Sequence, residues 1–213
     1  MKRFFLILAI FECGVVYSQI NVADGAIENF KELLNNPQMI ASKVTDLNRR
    51  GGWVLLETDF HVFTDASFAQ VTAVMGDYEN YNQYINGKRI RISCKIVKIT
   101  DDERLINFTT TTISGPFKFV SNFDGIVKYL TSSPLEKILT ITQTDKNNKK
   151  VNAYFAVRYV KDVTIDGKKY TYIRIYNKEE VKNSIVSDEL IRKESIPVNI
   201  ETLELIALAA AKK

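Results

Sequence analysis

The last nineteen residues, Ser195-Ile196-Pro197-Val198-Asn199-Ile200-Glu201-Thr202-Leu203-Glu204-Leu205-Ile206-Ala207-Leu208-Ala209-Ala210-Ala211-Lys212-Lys213, decide how the rest of the chain is read. Ser195 stands where an N-cap belongs, Pro197 at an early helical position, Glu201 in the first turn, and Lys212–Lys213 at a cationic end. At about 100° per residue, Ile200, Leu203, Ile206, Ala207, Ala210 and Ala211 form one apolar stripe. Leu205 and Leu208 fall on the other side, near Glu201. A helix this short is marginal alone in water, so it must lie against something. What precedes it is long and β-rich, so that something is a sheet. The stripe is large-residued at one end and alanine at the other. Small residues facing a concave sheet either bring the helix close or leave room for a guest.

Working outward, Glu179–Glu194 is charged and weakly patterned, which predicts a loop or lid leading into the helix. Before it, Val151, Ala153, Phe155, Val157, Tyr159, Val163 and Ile165 alternate along one strand, and Asp166-Gly167 joins that strand to Lys169–Asn177 as a hairpin. A two-residue turn pairs Tyr159 with Arg174. A three-residue loop including Lys168 pairs Tyr159 with Ile175 and unites the apolar faces, and is preferred for that reason. A slip of one residue reverses every side chain.

Four more β segments lie upstream: Arg89–Ile99, Arg104–Ile113, Phe117–Leu130 with an interruption at Asp124-Gly125, and Lys137–Thr144. Trp53–Phe63 is a strand, Thr64-Asp65-Ala66 opens a helix with Phe68, Val71, Val74 and Met75 as its stripe, and Asp77–Ile85 is a second short helix or turn. From Val22 to Leu47, Ile27, Phe30, Leu33, Leu34, Met39, Ile40, Val44 and Leu47 recur at helical spacings. Asn35-Asn36-Pro37 splits that run, because the residue before a proline is kept out of helical geometry. Residues 19–52 therefore read as a helical extension ending in a loop at Arg49-Arg50-Gly51-Gly52.

Met1-Lys2-Arg3, the apolar run Phe4–Phe11 and Val16-Tyr17-Ser18 before Gln19 have the layout of a secretory signal peptide, residues 1–18, cleaved near Ser18-Gln19. Glu12 breaks the apolar context, and it occupies the position before Cys13 where a lipoprotein needs a small residue. The predicted location is periplasmic or extracellular. Of 213 residues, 46% are hydrophobic and 25% charged, which suits one domain with a substantial core. The net charge of +4 is small and its basic residues are scattered, which argues against nucleic acid as a partner. Once residues 1–18 are removed only Cys94 remains, so no intramolecular disulfide forms and stability rests on packing.

The order of elements is strand, two short helices, a meander of long strands and a terminal helix. From Thr58 to Ile85 the chain shows an apolar strand, Ala66 opening a helix, Val71 and Val74 inside it, and then Asp77-Tyr78-Glu79-Asn80-Tyr81. With Ile196-Pro197 at the start of the last helix, this resembles the START/polyketide-cyclase-like superfamily over Trp53–Lys213. Tyr84 stands where that family frequently has Trp, and no catalytic signature of the family is present. The resemblance implies an α+β helix-grip fold: a curved antiparallel sheet of about six to seven strands wrapped around the C-terminal helix. It also implies a tunnel between sheet and helix for a lipid, sterol, isoprenoid or polyketide, with transient membrane contact as a further possibility. Pockets of this kind are mostly apolar with a few placed polar groups, for which Arg158, Arg174, Lys118 and the tyrosines are available.

The candidate lining residues are Ile92, Cys94, Phe108, Phe155, Val157, Tyr159, Ile175, Leu203 and Ala207, with no cofactor, metal or catalytic residue expected. His61 is the sole histidine, which rules out a His cage or His pair. Its expected role is structural. Cys94, among isoleucines, reads as an inert buried thiol, and Asp77 as a helix terminator. Glu57 and Asp59, and Tyr170, Tyr172 and Tyr176, read as exposed outer faces of the sheet. Two other readings stay open: a cell-envelope interaction protein with a filled core, and a cyclase- or hydrolase-like enzyme on the same fold.

Overall fold

Two glycines set the first hairpin. In the computed structural model, which describes residues 41–145, 148–165, 167–182 and 187–213, Gly51 and Gly52 take φ of 57° and 80°. Positive φ at both central residues is the geometry of a two-residue type I′ turn, whose twist suits flanking strands. It joins β1 (Ala41–Arg50) to β2 (Trp53–Thr64), with Arg50 opposite Trp53. The predicted helical extension is therefore corrected over residues 41–50, which form an edge strand. The signal peptide and the helices expected between residues 22 and 40 lie outside the described residues, as does Asp166.

After β2, Ser67 caps α1 (Phe68–Gly76) in a capping box with Gln70, and Val71, Val74 and Met75 are its buried face. A 3₁₀ turn at Tyr78–Asn80 and the single turn α2 (Tyr81–Tyr84) follow. Asp77 ends α1 and accepts hydrogen bonds from Asn80 Nδ2 at 2.9 Å and the Tyr84 hydroxyl at 2.6 Å, so it is a structural terminator. The chain then meanders through β3 (Ile90–Ile99), β4 (Glu103–Ser114), β5 (Phe117–Ser132), β6 (Glu136–Gln143), β7 (Val151–Ile165) and β8 (Lys168–Lys182), and closes with α3 (Asp188–Ala210). All eight strands among the described residues pair antiparallel in the order β1-β2-β8-β7-β6-β5-β4-β3. The sheet thus has one or two strands more than expected, β1 being the addition.

Four further expectations are corrected. β5 runs unbroken through Asp124-Gly125. The stretch read as a lid is instead the end of β8, which reaches Lys182, followed by the start of α3, which begins at Asp188 behind the N-cap Ser187. Pro197 sits inside that helix rather than near its start; lacking an N–H, it leaves the carbonyl one turn earlier without its helical donor. The β7–β8 register is the two-residue one, with Ile165 opposite Lys168 and Tyr159 opposite Arg174. The apolar pattern misled because both faces of β8 are buried from Thr171 to Tyr176. Arg174, 3% exposed, finds its partner on a third strand: Nε and a terminal nitrogen donate to the two Asp59 oxygens at 2.8 and 2.7 Å.

α3 contacts β1 and β2 at one edge of the sheet and β3 at the other. A helix that reaches both edges requires a curved sheet. Polar contacts fix the seam: Arg49 pairs with Asp188, Arg89 with Glu194 at 3.1 Å, and Glu201 accepts the backbone N–H groups of Lys88, Arg89 and Ile90. Val198, Leu203, Ile206 and Ala210 are the buried face of α3.

Candidate functional site

Residues directly opposite across antiparallel strands share a face. The register therefore traces one row across the inner face: Thr58 on β2, Asn177 on β8, Ala156 on β7, Ile141 on β6, Val127 on β5. The helical segment covers this face, with the Tyr78 ring edge-on to Phe108 at 6.1 Å and tilted against Tyr81 at 5.0 Å. Its apolar core joins Ile106, Phe108, Phe123, Leu139, Ile141 and Val151. Gly125 lets Phe108 cross the floor, since a Cβ there would lie 3.1 Å from the Phe108 ring and 3.2 Å from Ile141.

A polar group is set into this apolar wall. Arg158 donates to Asn177 Oδ1 at 2.8 Å and to the Tyr154 hydroxyl at 3.2 Å, and Tyr154 in turn donates to Asn177 Oδ1 at 3.2 Å. Glu179 stands opposite Tyr154 and feels the Arg158 charge. Burial pushes its carboxyl up to about 7 against the pull of Arg158. Burial also raises the Tyr154 and Tyr81 hydroxyls and pushes the Cys94 thiol up to about 12. Yet Tyr81, Cys94, Tyr154, Arg158, Asn177 and Glu179 all keep part of their surface accessible.

Of the residues expected to line a pocket, Cys94, Phe108 and Ile175 stand on this inner face, and Leu203 is fully buried on α3. Ala207 is half-buried on the same helix. Ile92 lies at the rim, lining a small cleft of about 240 Å³ with Asn82, Ile85 and Asn86. Phe155, Val157 and Tyr159 alternate away from Ala156 and Arg158 and stand on the outer face. That split follows from the turn register. Tyr154, Arg158, Asn177 and Glu179 were not expected as a group; the Asp166-Gly167 pair, read as a two-residue turn, places them together.

The outer face carries its own polar ladder. Tyr159 donates to Glu136 at 2.7 Å, His61 meets the Tyr172 hydroxyl and lies 3.3 Å from Asp59, and Glu57 pairs with Lys178 at 2.7 Å. Burial works to raise the Asp59 carboxyl, but hydrogen bonds from His61 and Arg174 and their charges outweigh it and hold it at about 2. His61 is thus structural. The tyrosines expected on an exposed face are not exposed: Tyr172 and Tyr176 are buried. Among the described residues, no cluster of His, Cys, Asp and Glu is placed to hold a metal, and no helix is long and apolar enough to cross a membrane.

A curved antiparallel sheet closed by a long C-terminal helix, with short helices after its second strand, is the START-like helix-grip fold. Solved structures agree. The chain is similar to the Zhui aromatase/cyclase from Streptomyces sp. R1128 (TM-score 0.53, 12% identity, 74% of this chain and 94% of that one). It is also similar to a STAR-related lipid transfer protein from Xanthomonas axonopodis (TM-score 0.50, 16% identity, 78% and 98%). Human STARD10 aligns at TM-score 0.52 and 10% identity over 78% and 73%. At these identities the likeness is one of fold. No protein-family model matches the sequence, and no curated protein matches it.

Proposed function

We propose that this protein is an exported carrier or sensor for a hydrophobic small molecule or lipid, held between the inner sheet face and α3. One observation carries the reading: a mostly apolar sheet face carries a small set of polar groups that keep part of their surface accessible. Apolar burial supplies affinity at about 25 cal/mol per Å², and the polar groups fix orientation. Lipid-transfer and aromatase/cyclase proteins among the structural neighbours suit a guest of the lipid, sterol, isoprenoid or polyketide kind. Export rests on the basic start, apolar run and small-residue site ending at Ser18. The test is native mass spectrometry of the protein recovered from the exporting compartment, followed by solvent extraction. A stoichiometric lipid on a chain beginning at Gln19 supports both parts. A chain that stays in the cytoplasm with its first residues intact sinks export, and an apo mass that persists in mixed lipids sinks the carrier.

A second reading has one observation in its favour. A carboxyl raised to about 7 by burial, with the Arg158 charge acting on it, is poised as a general acid or base near neutral pH. A cyclase-like enzyme would lose turnover in Glu179→Gln while keeping its guest.

A further inference from the structure

The outer face of the sheet carries a polar cleft at its β3 edge. Cys94 and Phe108 stand on the inner face, so Arg91 and Ser93 on β3, and Thr111 and Thr109 opposite them on β4, alternate to the outer one. Asn86 bridges to Arg91 from the segment before β3, and the Ile85 carbonyl accepts the Ile92 N–H at 2.9 Å, which lays that segment along the sheet edge as a wall. Together with Asn82 of α2, these residues line about 240 Å³.

Six of the eight lining residues are polar, and all six can donate a hydrogen bond. None of the eight is acidic or aromatic. Arg49, Arg89 and Arg174 are each paired with a carboxylate. Arg91 is exposed, and among the described residues its only partner is the Gly87 carbonyl, met by Nε at 3.4 Å. Thr109 accepts from Asn122 Nδ2 at 2.7 Å, which leaves its hydroxyl proton to donate. Glu201, close to Gly87, is turned to the backbone N–H groups of Lys88, Arg89 and Ile90 and does not line the cleft.

A planar guanidinium fork ringed by hydroxyls and carboxamides, with no competing carboxylate, suits an oxyanion. Phosphate accepts through three terminal oxygens and so engages donors from several directions, whereas a carboxylate presents two. A neutral sugar leaves the cation unanswered. The volume falls below the roughly 300–1,000 Å³ of sites that enclose a whole small molecule, so the cleft takes one group and leaves the remainder outside.

We propose that this cleft binds a phosphate monoester, with Arg91 bidentate on its oxygens and Ser93, Thr109 and Thr111 donating to them. The ester is carried by a small soluble molecule or by a lipid head group, which present the same chemistry. The site lies on the opposite side of the sheet from the guest face and does not rest on the carrier reading.

The test uses the full chain with ¹⁵N-labelled arginine, glycerol 3-phosphate as the soluble probe, and phosphatidylcholine vesicles containing phosphatidic acid as the lipid probe. Glycerol 3-phosphate, and not glycerol, should shift the Arg91 Nε resonance. Arg91→Gln should weaken binding about 10-fold or more, the range for hydrogen bonds to a charged group, and Arg91→Lys, which keeps the charge without the fork, should recover only part of it. Lys95→Gln, on the same face two residues beyond Ser93 and outside the cleft, should stay within about 2-fold of the wild type. Vesicle binding that Arg91→Gln removes assigns a lipid head group, and binding of glycerol 3-phosphate alone assigns a soluble ester; either supports the proposal. Binding of neither probe, equal binding by wild type and Arg91→Gln, or equal losses in Arg91→Gln and Lys95→Gln overturns it.

Discussion

The carboxylate of Glu201 occupies the space that a side chain at Gly87 would need: a Cβ there would lie 2.5 Å from Glu201 Cδ and 2.7–2.8 Å from both oxygens. In that position the carboxylate accepts N–H groups from Lys88 at 2.9 Å, Arg89 at 2.7 Å and Ile90 at 3.1 Å, joining α3 to the β3 edge of the sheet. Gly87→Ala should displace the carboxylate, and Glu201→Ala should strip three donors of their acceptor. Each is expected to cost about 1–2 kcal/mol, because Lys88 and Arg89 are exposed and water replaces part of the loss. The double variant should cost little more than either one alone. Denaturant midpoints at constant slope read the effect, and strict additivity would count against a shared clamp.

Asp59 makes acid stability predictable. Its carboxyl is held at about 2, below its ordinary value of 3.8, so its contribution is complete above about 4 and is lost as pH falls through about 2. The shift corresponds to about 2 kcal/mol. Asp59→Asn should lower stability at pH 7 by that order and flatten the pH dependence between 4 and 2. Wild type and variant melting in parallel across that window would contradict the assignment.

Glu179 acts with the opposite sign. Its folded carboxyl is raised from 4.5 to about 7, so the folded state holds the proton more tightly and stability declines as pH rises through that interval. Glu179→Gln should match the wild type near pH 4 and exceed it by on the order of 2–3 kcal/mol at pH 8. Thermal melts at the two pH values decide it, with identical pH profiles the result that tells against it.

Cys94 should be slow to alkylate. Burial pushes its thiol to about 12, which leaves little thiolate at pH 8. Iodoacetamide labelling of the Cys94 peptide, followed by mass spectrometry, should run well over 10-fold slower than in urea-unfolded chain. Labelling at the unfolded rate would place the thiol in bulk solvent.

The helix-grip architecture was legible because long alternating strands and an apolar terminal stripe survive any local error. β1 was not, because Val44 and Leu47 are three apart and satisfy a helical template; the informative signal was Gly51-Gly52, a two-residue hairpin turn in disguise. The start of α3 was hidden by Pro197, which reads as a beginning when it is an interior residue, while the true N-cap, Ser187, sits in a charged run without apolar period. Strand parity alone puts Cys94 and Phe108 on one face, whereas Ile175 was set beside Tyr159 by the loop length and stands opposite Arg158 instead. Phe155, Val157 and Tyr159 depended on one loop length, which apolar matching fixed wrongly because β8 is buried on both faces and Arg174 pairs with Asp59 on β2.

Pro197 divides α3 into halves held by different forces. From Asp188 to Ile196 no residue is fully buried, and the attachments are exposed ion pairs through Asp188 and Glu194. From Val198 to Ala210 the helix is anchored by apolar burial and Glu201. Exposed ion pairs weaken with salt, whereas burial does not. Amide hydrogen exchange should therefore quicken in the first half as ionic strength rises while the second half stays protected. The terminal helix is in this sense two cooperative units in one rod, and the unit that opens first is the one controlled by the ionic composition of the surroundings.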